Sequence, residues 1–304
     1  MKTIPTIRQL ALTACAVFTL GSASADDLLI GMSFQEMNNE YFVVMHQALE
    51  DAAESMGADV VVTDARHNVA KQVSDIEDMV QRGIDILLIN PTDSVGVQSA
   101  VRYAKDEGVI VVAVDAQAEG PIDAFVGSRN QHAGYLACDY LATSLGGKGE
   151  IAILDGIPVV PILERVEGCR EAIAEHPDMS IVTVQNGQQQ RSVALSVTEN
   201  MLAAHPDLAG IFSVNDGGAM GSYAAINASG RNVKLVSVDG APDAIAAMQE
   251  PNSLFVATAA QYPRDQVRLG LGVAMAKYWG ANVPSQIPVD VTLIDQDAAP
   301  SFSW

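Results

Sequence analysis

Short apolar runs recur along this chain at intervals of roughly 25 residues, and between them apolar positions repeat with the spacing of amphipathic helices. The runs predict strands over Leu28–Ser33, Asp59–Thr63, Ile84–Ile89, Val109–Val114, Ala124–Val126, Glu150–Leu154, Ser180–Val184, Leu208–Ser213, Val233–Val238 and Leu254–Ala257. The helical spacing predicts helices over Tyr41–Ser55, Lys71–Arg82, Ser94–Asp106, Gln131–Ser144, Leu163–Glu175, Arg191–Ala204, Ala219–Ala228, Ala241–Met248 and Arg264–Tyr278. Proline and glycine mark the corners, as in Asn90-Pro-Thr-Asp93 and Asp239-Gly-Ala-Pro-Asp243. Thr92 or Asp93 is a candidate cap for the helix after the third strand, and Ala241-Pro242 fits a helix start. Apolar, β-branched runs separated by helices mark parallel strands buried on both faces, so the fold class is α/β.

Four runs end on a polar side chain in a repeated order. Asp85-Ile-Leu-Leu-Ile-Asn90 precedes Val109-Ile-Val-Val-Ala-Val-Asp115, and Gly210-Ile-Phe-Ser-Val-Asn215 precedes Lys234-Leu-Val-Ser-Val-Asp239. Ten strands and a doubled Asn-then-Asp pattern fit two similar domains better than one wide sheet. No linker rich in Pro, Gly or Ser separates them. The chain is therefore expected to cross between domains near Gly127-Ser128, Ala260-Gln261 and Pro288–Leu293, which together would make a hinge. The division expected is 26–128 plus 262–289 for one lobe and 129–261 plus 290–304 for the other. Ligands of open parallel sheets sit outside the carboxyl ends of the strands. An amide and a carboxylate at that edge of each sheet suit a neutral polyhydroxy guest and are poorly matched to phosphate.

Composition narrows the setting. Lys2 and Arg8, the apolar stretch Leu10–Leu20 and Ala23-Ser24-Ala25 read as a secretory signal cleaved after Ala25, so a periplasmic protein is expected. Leu12-Thr-Ala-Cys15 offers a lipoprotein alternative in which Cys15 is lipidated. The net charge of −20 becomes −22 once Lys2 and Arg8 leave with the signal. An acidic chain of this kind repels nucleic acid and anionic lipid. Cys138 and Cys169 remain; in an oxidising compartment they could pair, or simply be two small buried residues.

Several short motifs then resemble one family. Met37-Asn-Asn-Glu-Tyr-Phe42, Leu87-Leu-Ile-Asn-Pro-Thr-Asp-Ser94, Glu164-Arg-Val-Glu-Gly168, Asn215-Asp216, Val238-Asp-Gly-Ala-Pro-Asp243 and Ala260-Gln261 look like landmarks of the ribose-binding-protein family, in order along the whole chain after the signal. The resemblance implies a periplasmic binding protein of type I: two Rossmann-like domains with parallel central sheets and a three-segment hinge, closing over a monosaccharide or polyol. It implies a monomeric receptor, without cofactor or metal, that serves the permease of an ABC importer. A chemoreceptor or sensor kinase is the alternative partner. Carried over by position, Asn39 would bond sugar hydroxyls, and Tyr41 and Phe42 would present ring faces to the C–H surface. Asn90 and Asp115 would contact hydroxyls from the first lobe. Arg165, Asn215, Asp239 and Gln261 would do so from the second lobe and hinge. The chemistry agrees, since a sugar presents apolar C–H faces and a rim of hydroxyls. Each residue also has a plainer reading: Tyr41 and Phe42 as core, Asn90, Asp115 and Asp239 as turn residues, and Arg165 as a surface partner of Glu164 or Glu167.

Departures from the family pattern concern specificity. Asp115-Ala116 stands where common members of the family have Asp-Arg. A usual aromatic falls near Gln189, and the loop Gly156–Ile162 is unusually apolar. Ribose itself is therefore in doubt, and another pentose, a hexose, a polyol or a modified sugar stays open. Other chemistries find little support. Gly-x-Ser-x-Gly is absent, Gly146-Gly147-Lys148-Gly149 lacks the rest of a P-loop, and the five histidines show no ligand spacing. Gly217-Gly218-Ala-Met-Gly221 reads as helix-on-sheet packing. A glycosidase using paired carboxylates is the rival enzyme class. A sugar-responsive regulator would carry a helix-turn-helix ahead of the core, where this chain has the signal.

Overall fold

The computed structural model describes residues 28–304, so the expected signal and Cys15 lie outside the described residues. The first lobe begins with β1 (Leu29–Phe34), α1 (Glu40–Met56), β2 (Asp59–Asp64), α2 (Val69–Gln81), β3 (Ile86–Ile89), α3 (Gln98–Asp106), β4 (Ile110–Val114) and β5 (Ala124–Ser128). The chain then builds the second lobe from α4 (Asn130–Ser144), β6 (Lys148–Asp155), α5 (Val160–Ala174), β7 (Asp178–Asn186), α6 (Arg191–Ala204), β8 (Leu208–Ser213), α7 (Asp216–Ser229), β9 (Lys234–Asp239), α8 (Pro242–Met248) and β10 (Phe255–Ala260). It returns through α9 (Pro263–Tyr278) and β11 (Gln286–Val289), and crosses again to β12 (Thr292–Asp295).

Two six-stranded sheets result, ordered β11-β5-β4-β3-β1-β2 and β12-β10-β9-β8-β6-β7. Every pairing is parallel except that of β10 with β12. Strand side chains alternate between faces, and both faces are covered. Along β3, Ile86 and Leu88 enter the core beneath α1 and α9, while Leu87 and Ile89 enter the core beneath α2 and α3. In each lobe the order reverses beside the first strand, leaving a crevice at the carboxyl edge.

Four local expectations change. The crossing expected over 288–293 narrows to residues 290–291, because β11 and β12 are short edge strands on either side of it. Pro288 is tolerated there because an edge strand can spare one amide. Pairing of Val289 with Ser128 also carries β5 two residues beyond its apolar run, so the strand fills the expected crossing at Gly127-Ser128 and the chain leaves the first lobe at Arg129. The helix predicted from Ser94 starts at Gln98: Asp93 Oδ1 takes the amides of Val95 and Gly96 at 3.0 and 2.6 Å, capping an intervening turn. Within the glycine cluster, Gly218 does lie against Ser213 and Leu154 of the sheet, but Gly221 faces α6, where a Cβ would strike the Arg191 carbonyl.

Helices α4 and α5 meet more closely than any ordinary side chain allows. A Cβ on Gly134 would run into the Arg165 backbone, and one on Gly168 into that of Gln131. Cys138 and Cys169 join the same two helices in a disulfide, with Cα atoms 5.0 Å apart. This clamp holds Arg165 at the cleft.

Candidate ligand-binding site

A cavity of about 580 Å³ lies between the carboxyl edges of the two sheets. Asn39, Tyr41, Phe42, Asp115, Arg165, Gln189, Asn215, Asp239 and Gln261 all line it, drawn from both lobes. Asn90 does not. It is fully buried behind Asp115, donating from Nδ2 to the Asp115 carboxylate at 3.0 Å and accepting the Gln35 amide at 3.3 Å. Gln72 fixes it in turn, through a bond to the Asn90 carbonyl at 2.9 Å. Asn90 is therefore not brought to the cavity wall with the others; in this arrangement its amide orients the Asp115 carboxylate.

The two carboxylates occupy corresponding positions. Asp115 follows β4 and Asp239 ends β9, and both have positive φ, 67° and 139°. Such backbone is costly for a side-chain-bearing residue and persists where the surroundings enforce it, often at functional sites. In the first lobe the Asn90 side chain holds Asp115. In the second, the Asp216 amide holds the Asp239 carboxylate at 3.3 Å. The Asn215 side chain is thereby left for other work: its Oδ1 caps α7 through the Gly218 amide at 3.0 Å, and its buried Nδ2 has no partner among the described residues.

Arg165 is buried, not paired with Glu164 or Glu167 at the surface. Its Nε donates to Asn130 Oδ1 at 2.9 Å, and its Nη1 to the Val214 carbonyl at 2.8 Å and to Asp239 Oδ1 at 3.2 Å. Gln261, at the second crossing, donates from Nε2 to Asp239 at 2.7 Å, while its buried Oε1 has no partner among the described residues. Tyr41 and Phe42 serve the core and the cavity together. They meet edge-to-face at 5.4 Å, and Phe42 packs on Phe34 at 6.0 Å. The Tyr41 hydroxyl faces Asp115 but reaches no partner in hydrogen-bonding geometry. Asn39 caps α1 through the Tyr41 amide at 3.0 Å, and Glu36 holds that loop by accepting the Asn38 and Asn39 amides. Gln189 sits at φ 56° with its Oε1 on the Ile157 amide at 3.3 Å.

Charge is concentrated under the cavity. Burial, partly offset by Arg165 and aggravated by Asp239, pushes the Asp115 carboxyl up to about 6. Burial also raises Asp239, against the pull of Arg165. Asp216, beneath the Asp239 loop, is raised by burial and then by the Asp239 charge. It accepts from the Ser237 and Thr258 hydroxyls and from the Gly240 and Ala241 amides at 2.8 and 2.7 Å, holding that turn in place. Tyr41 stays protonated, its pKa driven well up by burial and then by Asp115.

Sequence reading missed these supports, although Asn215-Asp216 had been noted as a motif. It also missed lining from Gln35, His67, Val159, Pro161, Arg191 and Asp243. Arg191 pairs with Asp243 at the exposed rim. The apolar loop Gly156–Ile162 was a usable signal, since Val159, Pro161 and Ile162 line the second lobe's side. Among the described residues there is no cluster of His, Cys, Asp and Glu able to hold a metal, and no helix is long and apolar enough to cross a membrane.

Comparisons with known proteins agree with this architecture. Residues 30–280 match the family model of the periplasmic binding protein domain. The chain is 36% identical over 271 residues to a ribose import binding protein of Bacillus subtilis (strain 168), covering 86% of this chain and 88% of that protein. Among solved structures it superposes with a TM-score of 0.86 on a periplasmic solute binding protein of an ABC transporter from Actinobacillus succinogenes 130z, bound to D-allose. That pair shares 29% identity, over 91% of this chain and 100% of the other. It superposes with a TM-score of 0.85 on a Caulobacter myo-inositol binding protein bound to myo-inositol, at 29% identity over 91% and 96% of the two chains. Two lobes of parallel sheet, a cavity between their carboxyl edges and these relatives place the chain in the periplasmic binding protein family, among its ribose-binding-protein-like solute receptors.

Proposed function

We propose that this protein binds a neutral monosaccharide or cyclic polyol between its lobes and presents it to the permease of an ABC importer. One observation carries the reading. Tyr41 Oη, Asn215 Nδ2 and Gln261 Oε1 are buried, belong to cavity-lining residues of both lobes and hinge, and make no hydrogen bond of good geometry among the described residues. Unpaired buried polar groups cost about 1–3 kcal/mol each. A guest with several hydroxyls satisfies a donor, an acceptor and a group that can act as either. Asp115, Asp239 and Arg165 add charge-assisted bonds, which are stronger than neutral ones. Tyr41 and Phe42 supply the apolar face that a sugar's C–H surface needs.

Ala116 and Gln189 leave room where the family resemblance implies an arginine and a ring, and Val159 and Ile162 add apolar lining. This favours a hexose or cyclitol over ribose. Contacts from both sides give the guest a higher affinity for the closed arrangement, and only that difference can shift the lobes toward closure. The lobe limits 28–128 plus 262–289 and 129–261 plus 290–304 are the bodies proposed to move. Export to the periplasm, removal of residues 1–25 and action as a monomer belong to the same reading.

The test is a thermal-shift screen of residues 26–304 against D-ribose, D-allose, D-galactose, D-glucose, xylitol and myo-inositol. A sugar or polyol at a hundred times its Kd stabilises the protein by about 2.7 kcal/mol. A hexose or cyclitol is expected to raise the melting temperature most. Amino acids and organic acids are screened alongside, and a response confined to them would remove the proposal.

A further inference from the structure

Trp304 touches both lobes without lining the cleft. After β12, Asp295 Oδ1 takes the amides of Asp297 and Ala298 at 3.1 and 2.9 Å, and a short turn at Ala299–Ser301 redirects the chain. Phe302 then lies edge-on to Tyr262, with ring centroids 6.4 Å apart, and against Gly240, where a Cβ would meet its ring at 3.0 Å. Trp304 follows. Its Nε1 donates to the Asp239 carbonyl at 3.1 Å, and its ring meets Tyr41 edge-to-face with centroids 5.6 Å apart and planes at 80°. Its half-buried side chain packs on a core of the second lobe and on one of the first. Trp304 is not among the residues lining the cavity, whereas both residues it touches are.

We propose that Trp304 is a positioning residue: a non-covalent strap that holds Tyr41 of one lobe against Asp239 of the other and favours the closed arrangement. An opening rotation separates those two residues, and Trp304 can follow only one. The bond to Asp239 and the seat of Phe302 on Gly240 keep it with the second lobe. Opening therefore costs the contact with Tyr41. An edge-to-face aromatic pair is worth about a two- to tenfold shift in such an equilibrium. Only the effect on sugar affinity rests on the proposed function; the strap itself concerns the two lobes.

The experiment places spin labels on Val43→Cys and Leu163→Cys, exposed positions on α1 and α5, and measures their separation without sugar. Trp304→Ala is expected to move the distance distribution toward longer separations. Trp304→Phe, which keeps a ring against Tyr41 but loses the N–H, should fall between. Calorimetry with D-allose and myo-inositol should show about two- to tenfold weaker binding for Trp304→Ala, partly rescued by Trp304→Phe. Distances identical in all three proteins would overturn the strap, even if Trp304→Ala melts earlier. If wild type binds neither sugar, the reading of the cleft suffers, and the distances still decide the strap.

Discussion

Asp115 shows how much of the site's behaviour is set by one residue's surroundings. Burial holds its carboxyl at about 6, against 3.8 for a free side chain. Below that pH it gains a proton and loses an acceptor for a sugar hydroxyl, so affinity should fall as pH drops from 7 to 5. Its effect on stability has the opposite sign. A folded pKa above the unfolded value means the native protein binds the proton more tightly. The penalty for an ionised Asp115 is thus full above about pH 6 and is relieved as pH falls toward 3.8. Calorimetry and melting curves over pH 4.5–7.5 check both halves; affinity that rises in acid would contradict the assignment. Ala116 makes a second residue-scale prediction: D-ribose should bind at least tenfold more weakly than the best hexose or cyclitol, and an equal or tighter ribose Kd would refute it. At this scale the sequence showed which polar residues end the strands, but not how each amide is used. Asn90 and Asn215 look equivalent along the chain. Only packing reveals that one is consumed by Asp115 and the other left with a bare Nδ2.

Among the elements, α4 and α5 form a close, covalently linked joint beside the site. Their glycines allow backbone contact, and the disulfide spans a sequence separation of 31. Gly168→Ala should overpack this joint and destabilise the protein by about 1–3 kcal/mol. It should also weaken sugar binding, because Arg165 lies one turn away on the same helix. The pair Cys138→Ala with Cys169→Ala should cost about 2–4 kcal/mol of stability. Affinity should change by no more than a few-fold, since the glycine contact keeps Arg165 in place; chemical denaturation and calorimetry on the two variants separate these effects. The central strands could be read from their apolar runs because each is buried on both faces. The edge strands β11 and β12 could not: Pro288 and exposed positions break their pattern, and only pairing with β5 and β10 makes them strands. The disulfide was only one of two readings, because periodicity places Cys138 and Cys169 on helices without saying that those helices touch.

For the whole molecule, the repeated Asn-then-Asp order already implied two sheets presenting similar edges, and the fold brings those edges together around one cavity. Three chain crossings join the lobes. Arg129 ties the first to the third through Asp290 at 2.7 Å, and Gln266 of α9 bonds Ser128 at 2.6 Å. These bonds tie the crossing segments together, an arrangement compatible with hinge closure at a few residues. What the chain could not display was the extent of the space between the lobes, because cavity size depends on how side chains far apart in sequence fill it. The most direct measurement is calorimetric titration of wild type, Asp115→Asn and Asp239→Asn with the sugar or polyol that stabilises wild type best. One-to-one binding at micromolar Kd or below, roughly −8.2 kcal/mol, should weaken at least tenfold in each variant. Unchanged affinity in either would mean that the guest is not gripped from both sheet edges.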